Sequence, residues 1–365
     1  MTEKRELVLN MGPQHPSTHG VFRVILQMQG ETVTDAKPVI GYLHRGLEKL
    51  AEHSTWQNVI PLTDRLDYVA AMSNNLVYAR AVEKLLRIEP PERAQFIRVI
   101  MAELSRIASH LVFLGTFGLD LGAWTAIVFC FNMREKVLDL FEAVCGQRMT
   151  FSYIRFGGVA ADLPDGFVEQ AQKVMTSLKE GMQELADLIN GNEIFLARTK
   201  GVGPLDSQVG LEYGVSGPII RASGVPFDLR VCRPYEIYDR LSFTVPLGKQ
   251  GDCYDRFRVR FDEVLESISI IEQCLELMPT GETTAKLPRR LRPQAGQAYA
   301  SVEGPRGEVG CLVVSDGSEH PYRWWIRSAA FANISVLPEI TRGTKLADMV
   351  AILASIDLVM GEIDR

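Results

Sequence analysis

The chain has 365 residues, of which 46% are hydrophobic and 23% are charged, a balance typical of a globular protein and not of a disordered one. Its 39 basic and 45 acidic residues leave a net charge of −6, which argues against nucleic acid as a partner. The opening stretch MTEKRELVLNMG has charges of both signs and no apolar core, so we expect no secretory signal.

The first predicted elements are strands. Alternating apolar residues over Glu6–Leu9 and Val21–Met28 predict two strands, joined by a loop rich in Pro, Gly, Ser and His. From about residue 43 the apolar spacing becomes helical. It predicts helices over Asn74–Leu86, Pro91–Leu114, Phe167–Leu188 and Asp255–Leu277, with a loop over 154–166 and an irregular region over 200–253.

The C-terminal region returns to strands. After a loop over 279–297, Val309–Val314 and Tyr322–Ile326 flank an Asp-Gly-Ser turn and predict a hairpin. Thr344–Leu358 predicts a last helix, followed by a polar tail. We therefore expect an α+β fold in one domain over 1–365: a mostly helical core over about 43–280, with small antiparallel sheets near the N-terminal (about 1–40) and C-terminal (about 297–365) regions.

The stretch from Leu111 to Met133 is long enough to span a bilayer, and Asp120 is its only charge. A central carboxylate and several glycines argue against a lipid-facing span. We interpret the stretch as two buried helices that meet near Gly118 to Gly122.

Two histidines lie four residues apart, His15 and His19, in the segment GPQHPSTHG. Such spacing on a helix binds zinc, but Pro16 and the flanking glycines disfavour a helix. A tight loop would instead direct the imidazoles into a cavity, where histidine transfers protons near neutral pH. Structural hydrogen bonding by both rings is the alternative.

Two further residues are candidates for proton chemistry. Tyr68, in TDRLDY, is suited to donate a proton or hydrogen bond to a carbonyl oxygen, or else it is a packing residue. Burial of Asp120 would raise its pKa and let it carry a proton; a helix cap or a distant ion pair is the alternative. Motifs for a serine or cysteine nucleophile, for NAD and for ATP are absent from the sequence, as is any CxxC motif for zinc or an iron–sulfur cluster.

Motifs along the chain resemble the D-type subunit family of bacterial NADH:quinone oxidoreductases, which is related to the large subunits of nickel–iron hydrogenases. The matching motifs are MGPQHPSTHG (11–20), GYLHRGLEK (41–49), TDRLDY (63–68), FGLDLGA (117–123), REKVLDLFEAVCGQR (134–148), GGVAADLP (157–164), GPIIRASGVPFDLR (217–230), DCYDRF (252–257), GPRGEVG (304–310), SDGS (315–318) and DLVMGEIDR (357–365). The resemblance implies a hydrogenase large-subunit-like fold.

By resemblance, His19 and Tyr68 hydrogen-bond a quinone headgroup and Asp120 couples to His19. Arg45 and Arg65 match arginines near the partner's terminal cluster, where positive charge favours the reduced state. His15 is assigned to the same region, near the quinone or the cluster.

The resemblance also implies the wider setting. Menaquinone or ubiquinone is the substrate, and the electrons come from a 4Fe–4S cluster in a small iron–sulfur subunit (B-type), because this chain lacks the thiolates. C-type and I-type subunits and an H-type membrane subunit are the other implied partners. The expected function is that of an NADH:quinone oxidoreductase subunit that acts only in its complex, coupled to proton translocation, peripheral on the cytoplasmic side of the cell membrane.

The sequence departs from related patterns at two places. Hydrogenases hold nickel with cysteine pairs, whereas the corresponding segments here, 44–49 and 357–365, contain none, so we expect no metal in this chain. Thr150 replaces a histidine found in many relatives near the cluster, which suggests a pH-independent cluster potential suited to a low-potential quinone such as menaquinone.

Three other interpretations are compatible with the sequence. The chain could be a non-catalytic scaffold derived from a hydrogenase, or the same subunit in a complex that receives electrons from ferredoxin or a deazaflavin. It could also belong to a membrane-bound hydrogenase, which bound nickel would reveal.

Overall fold

A computed structural model describes residues 6–12 and 21–365 of the chain. Within these residues helices predominate, and three small antiparallel sheets accompany them, as the predicted α+β class requires. The helices are α1 (Leu47–Glu52), α2 (Trp56–Thr63), α3 (Ala71–Leu86), α4 (Glu92–Asp120), α5 (Trp124–Cys145), α6 (Phe167–Asn190), α7 (Glu193–Thr199), α8 (Ser207–Glu212), α9 (Pro218–Ala222), α10 (Leu229–Cys232), α11 (Cys253–Leu277), α12 (Ala329–Ile334), α13 (Leu337–Thr341), α14 (Met349–Ile356) and α15 (Met360–Asp364). The strands are β1 (Glu6–Met11), β2 (Arg23–Gln29), β3 (Thr32–Val39), β4 (Ile154–Arg155), β5 (Gly158–Val159), β6 (Gly296–Gly304), β7 (Gly307–Ser315) and β8 (Arg323–Arg327).

The helical core is organised around α4, which packs against α3, α5 and α11. The helix follows Pro91, whose fixed φ suits a helix start, and it is buried on almost all sides from Phe96 to Gly118. At Gly118 the missing side chain lets α5 approach closely, since a Cβ there would lie 2.8 Å from the Cβ of Ala126. This contact fixes the angle at which the chain turns from α4 into α5.

The predicted pair of helices over residues 111–133 is confirmed, because α4 ends at Asp120 and α5 begins at Trp124. Only one side of α5 is buried, however. Trp124 is 72% exposed and Val128 is 68% exposed. The expectation of two buried helices was therefore wrong for the first turns of α5. No helix among the described residues is long and apolar enough to cross a membrane.

The N-terminal sheet contains both predicted strands, and β3 extends it in the order β1-β2-β3. Side chains of β2 alternate, with Val24, Leu26 and Met28 turned into the core. The segment between β1 and β2 carries His15 and His19, which lie outside the described residues.

The C-terminal sheet has the order β6-β7-β8, and its second hairpin confirms the one predicted around the Asp-Gly-Ser turn. The strand β6 was not predicted, because small and polar residues obscure its alternation. Its tight connection to β7 pairs Gly304 with Gly307 and leaves Arg306 in the turn. Both strands pack against α3, which brings that turn toward the start of α3.

The expected polar tail after the last helix was wrong. The chain continues into α15, and both α14 and α15 are buried. The charges of Asp357, Glu362 and Asp364 misled the prediction, since charged residues are normally solvated. Here they are buried with partners from distant parts of the chain.

Further buried charges in the helical core are neutralised by partners. Arg98 on α4 donates from Nη1 to Glu83 on α3 (3.2 Å) and to Glu236 (3.4 Å). The His110 Nε2 atom lies 2.9 Å from Glu263, and burial lowers the pKa of His110. Such pairs offset the high cost of removing charge from water.

Candidate functional site

Tyr68 lies in the turn that connects α2 to α3, and two carboxylates shape this turn. Asp64 accepts hydrogen bonds from the amide of Asn75 (2.9 Å) and from the backbone N–H of Ser152 (3.0 Å). Asp67 accepts from the N–H groups of Val69 and Ala70, both at 3.1 Å, and so holds the backbone immediately before α3. These hydrogen bonds hold the turn, which leaves Tyr68 38% exposed.

The C-terminal helix α15 packs directly against this turn through a glycine. A Cβ at Gly361 would lie 2.8 Å from the carbonyl oxygen of Leu66, 3.1 Å from that of Arg65 and 3.2 Å from Cε1 of Tyr68. No larger side chain fits between the two segments without movement. Gly361 therefore sets the position of the tyrosine ring.

A third segment, the loop before α1, is held by the end of the chain. The Asp364 carboxylate accepts from the N–H groups of Gly41 (2.8 Å) and Leu43 (2.7 Å), and its carbonyl oxygen lies 2.7 Å from His44 Nδ1. The backbone N–H of Arg45 donates to the carbonyl of Arg365 (3.0 Å). Two segments at opposite ends of the sequence thus become neighbours.

Arg45 and Arg65 are both predicted site residues. Arg45 lies close enough to Tyr68 for its charge to act on the phenol, whereas Arg65 lies three residues before Tyr68 in the same turn. The Arg45 guanidinium donates to the backbone carbonyls of Arg65 (2.8 Å) and Gly361 (3.1 Å), while that of Arg65 donates to Pro61 (2.7 Å). The partners in these hydrogen bonds are neutral carbonyls, and the charges of Tyr68 and Asp364 also act on Arg45. The ion pair of Arg65 with Asp64 is long, at 3.8 Å. Among the described residues, neither arginine makes a short ion pair with a carboxylate.

The electrostatics of Tyr68 keep its proton in place. Burial raises the pKa of Tyr68, and the charge of Asp67 adds to this, whereas Arg306 and Arg45 oppose it. The net shift is upward, so the phenol is a hydrogen-bond donor at neutral pH. Burial also lowers the pKa of Arg45, while the charges of Tyr68 and Asp364 oppose this shift.

Behind Tyr68 lies a buried arginine that the sequence reasoning did not single out. Arg306 pairs with Asp67 (2.5 Å) and with Asp357 (3.2 Å), and these carboxylates hold its pKa above the usual range. Arg260 of α11 lies 3.9 Å from Asp357. In the sequence, Arg306 stands in a short glycine-containing turn between two strands. Such a pattern is equally typical of an arginine exposed to solvent, so it does not predict burial.

Asp120 is the last residue of α4 and makes no hydrogen bond or ion pair with another described residue. Burial raises its pKa to about 6. The alternatives of a salt bridge or a helix N-cap therefore find no support in the described part of the chain. The predicted coupling of Asp120 to His19 remains a prediction, because His15 and His19 both lie outside the described residues.

Thr150 lies near the same turn, in the segment after α5. It has a positive φ of 55°, and Ser152, two residues on, donates both its N–H (3.0 Å) and its hydroxyl (2.6 Å) to Asp64. Through Ser152, the segment that contains Thr150 is hydrogen-bonded to Asp64, the residue that precedes Arg65.

A cavity of about 560 Å³ opens beside α15, lined by residues of the loop 40–46, α1, β8, α12 and the C-terminus. Its charges are paired internally, since Glu48 accepts from the N–H of Ile326 (3.0 Å) and pairs with Arg323 (3.1 Å) and Arg365 (3.4 Å). Tyr68 and Asp120 do not line this cavity.

The described residues bring no group of three or more His, Cys, Asp or Glu side chains together in an arrangement that could hold a metal ion. The segments 44–49 and 357–365, which we expect to correspond to the cysteine-bearing segments of hydrogenases, lie side by side. Backbone hydrogen bonds and carboxylates occupy their junction, and neither segment contains cysteine.

Comparison with known proteins identifies the family. Residues 120–295 and 286–365 match the family described as respiratory-chain NADH dehydrogenase, 49 kDa subunit. The D-type subunit of the NADH-quinone oxidoreductase of Carboxydothermus hydrogenoformans is 54% identical over 364 residues, covering 100% of both chains. The D-type subunits of Desulforamulus reducens (52%, 98% of each chain) and Bacillus mycoides (46%, 100% of each chain) are also similar. The predicted resemblance is confirmed: the chain belongs to the D-type subunit family of NADH-quinone oxidoreductases, the 49 kDa subunit family of the respiratory chain.

Proposed function

We propose that this chain forms the quinone-reduction site of a proton-translocating NADH:quinone oxidoreductase, together with a small iron–sulfur subunit. The observation that carries the proposal is the placement of Tyr68. Its protonated phenol is partly exposed on a hydrogen-bonded turn that also carries Arg65, and the charge of Arg45 acts on it.

The chemistry of quinone reduction matches these side chains. A quinone takes up two electrons and two protons to become a quinol. Tyr68 donates a hydrogen bond to one carbonyl oxygen and then its proton, and His19 serves the other oxygen. His15 is a further candidate to bind the quinone or the partner's cluster. Asp120, whose pKa of about 6 lies near neutrality, returns a proton to His19.

The electrons come from a 4Fe–4S cluster of the small iron–sulfur subunit, which supplies one-electron transfer when bound. The positive charges of Arg45 and Arg65 stabilise the added negative charge on reduction. Thr150, attached to the same turn as Arg65, cannot titrate as a histidine would. We therefore propose a cluster potential independent of pH, which suits menaquinone.

The exposed apolar side of α5 supports assembly with partners. Apolar side chains are exposed on the helix that follows Asp120, namely Trp124, Val128, Phe129 and Phe131. Exposed apolar patches of this kind mark interaction sites. We propose that B-type, C-type, I-type and H-type subunits surround the chain, which lies peripherally on the cytoplasmic side of the cell membrane.

The test is quinone reductase turnover of the assembled complex with Tyr68→Phe and with His19→Ala. We expect each change to lower turnover by at least about 100-fold, the usual contribution of a positioned proton donor. Tyr322→Phe is the matched control, because Tyr322 is 67% exposed immediately before β8. Normal turnover with both site changes would reject the assignment and favour the scaffold alternative.

A further inference from the structure

Three carboxyl groups and two guanidinium groups are buried together directly behind Tyr68. The carboxyl groups belong to Asp67, Asp357 and Glu362, and the guanidinium groups belong to Arg306 and Arg260. If all five were ionised, this carboxyl cluster would carry a net charge of −1 out of contact with water. An isolated buried charge is strongly unfavourable, so the cluster tends to take up one proton.

The hydrogen bonds indicate which carboxyl holds that proton. Asp67 accepts two backbone N–H groups and pairs with Arg306. Asp357 lies between Arg306 and Arg260. Glu362 instead accepts only from neutral donors of α12 and its cap, the Ser328 hydroxyl at 3.0 Å and the Ala330 N–H at 3.3 Å. Among the described residues no cation lies within ion-pair distance of Glu362, so its neutral form is favoured most.

The surroundings of Glu362 agree with this assignment. On its own helix, Asp364 is turned to the loop 41–43 and Arg365 to Glu48. From the other packed elements, Asp67 and Arg306 face it. Burial first and the charge of Asp67 second raise the pKa of Glu362 to about 7, while Arg306 and the hydrogen bonds from α12 oppose the rise.

The carboxyl cluster is connected to Tyr68 on two sides. Asp67 precedes Tyr68 in the chain, and Glu362 follows Gly361, where an added Cβ would lie 3.2 Å from Cε1 of the tyrosine ring. The Tyr68 hydroxyl also lies within the electrostatic influence of Arg306 and Asp67. A change of protonation in the cluster therefore changes the acidity of the phenol.

Resting on the function proposed above, we infer that Glu362 holds a reserve proton for Tyr68. When quinone accepts electrons, the Tyr68 O–H bond breaks and a quinol O–H bond forms. The carboxyl O–H bond of Glu362 then breaks, and the phenol O–H bond is restored. The cluster keeps the extra negative charge until it is reprotonated from solvent. Glu362 thus acts through Tyr68 as a positioning residue and does not contact the quinone.

The test is Glu362→Gln in the assembled complex, assayed for NADH-driven reduction of a short-chain naphthoquinone between pH 5.5 and 9, a range of about 1.5–2 units on either side of neutrality. We expect kcat at neutral pH to fall at least about tenfold, with KM unchanged. The wild-type kcat should decline as the pH rises through about 7, because the reserve proton is lost there. The Glu362→Gln complex should lack this decline.

Infrared difference spectroscopy gives a readout that a structural role would not change. The oxidised wild-type complex should show the C=O stretching band of a protonated carboxyl, shifted in D2O and absent from the Glu362→Gln complex. Ser328→Ala removes a hydrogen bond that lowers the pKa of Glu362, so it should move the alkaline decline to higher pH. Glu308→Gln is the matched control, because this carboxyl pairs with Arg327 on the neighbouring hairpin and should change nothing.

The outcomes separate this inference from the proposed function. If Tyr68→Phe retains full turnover, the quinone site itself is wrongly assigned. If Tyr68→Phe is inactive while Glu362→Gln keeps the wild-type rate, pH profile and infrared band, the reserve proton alone is rejected. Should Glu362→Gln fail to assemble, the wild-type infrared band and its response to Ser328→Ala decide, and absence of either overturns the inference.

Discussion

Gly361→Ala tests whether the contact between α15 and the Tyr68 turn sets the site geometry. The new methyl group would lie 2.8 Å from the carbonyl oxygen of Leu66 and 3.2 Å from Cε1 of Tyr68. The first distance is well inside van der Waals contact, and its partner is a backbone atom that cannot rotate away. Either α15 or the turn must therefore move.

Two opposing effects determine the magnitude. Replacing glycine by alanine inside a helix ordinarily stabilises by about 0.5–1 kcal/mol. Overpacking at a buried contact costs about 1–3 kcal/mol. We expect a net destabilisation of about 1–2 kcal/mol on these figures, which the complex should survive. Displacement of Tyr68 by about 1 Å would, by contrast, lower turnover by roughly 100-fold.

The assay compares quinone reductase turnover with reduction of the partner's clusters by NADH in the same preparation. Cluster reduction should be normal, since Gly361 lies on the quinone side of the transfer. Gly191→Ala is the control: Gly191 ends α6, and no heavy atom lies within 4 Å of the position of its Cβ. Wild-type turnover in Gly361→Ala would show that the turn yields freely and would refute the argument.

Two further predictions concern buried charge. Glu83→Ala leaves Arg98 without its main carboxylate, so we expect the free energy of chemical unfolding to fall by about 3–5 kcal/mol. The double change Glu83→Leu with Arg98→Met should recover most of this stability. A fall below about 1 kcal/mol in the single variant would contradict the pairing. Asp120 has a folded pKa of about 6, above its unfolded value of about 3.9, so unfolding releases a proton between these values and stability falls as the pH rises through this window. At pH 7, above both pKa values, Asp120→Asn should therefore raise the midpoint temperature of thermal unfolding. At pH 3.5, below both pKa values, it should leave this temperature unchanged. An equal effect at the two pH values would argue against a raised pKa of Asp120.

Local patterns predicted the elements and part of the site. The helical spacing in the segments of α3, α4, α6 and α11 reflects contacts between residues three or four positions apart, which sequence records directly. The acidic-aromatic run around Tyr68 and the isolated carboxylate Asp120 were identifiable because their composition is unusual for their surroundings. Arg45 and Arg65 were recognised through family resemblance alone.

Other features followed from packing between distant segments. The ion pair of Asp67 with Arg306 joins positions 239 residues apart, so no local pattern could indicate it. The same holds for Gly361, whose importance depends on the backbone of Leu66. The end of the chain was misjudged for a related reason, because Glu362 and Asp364 look solvated until their partners in α12 and the loop 41–43 are known.

The sequence by itself determined the fold class, the family and the chemical types of the site residues, because composition, periodicity and motifs are properties of neighbouring positions. Only the tertiary structure decided how Tyr68 is held and which carboxyl group lies behind it. Burial converts Glu362 from an ordinary surface acid into a group that titrates near neutrality. Burial is a property of the whole assembled interior, and no short stretch of residues contains it.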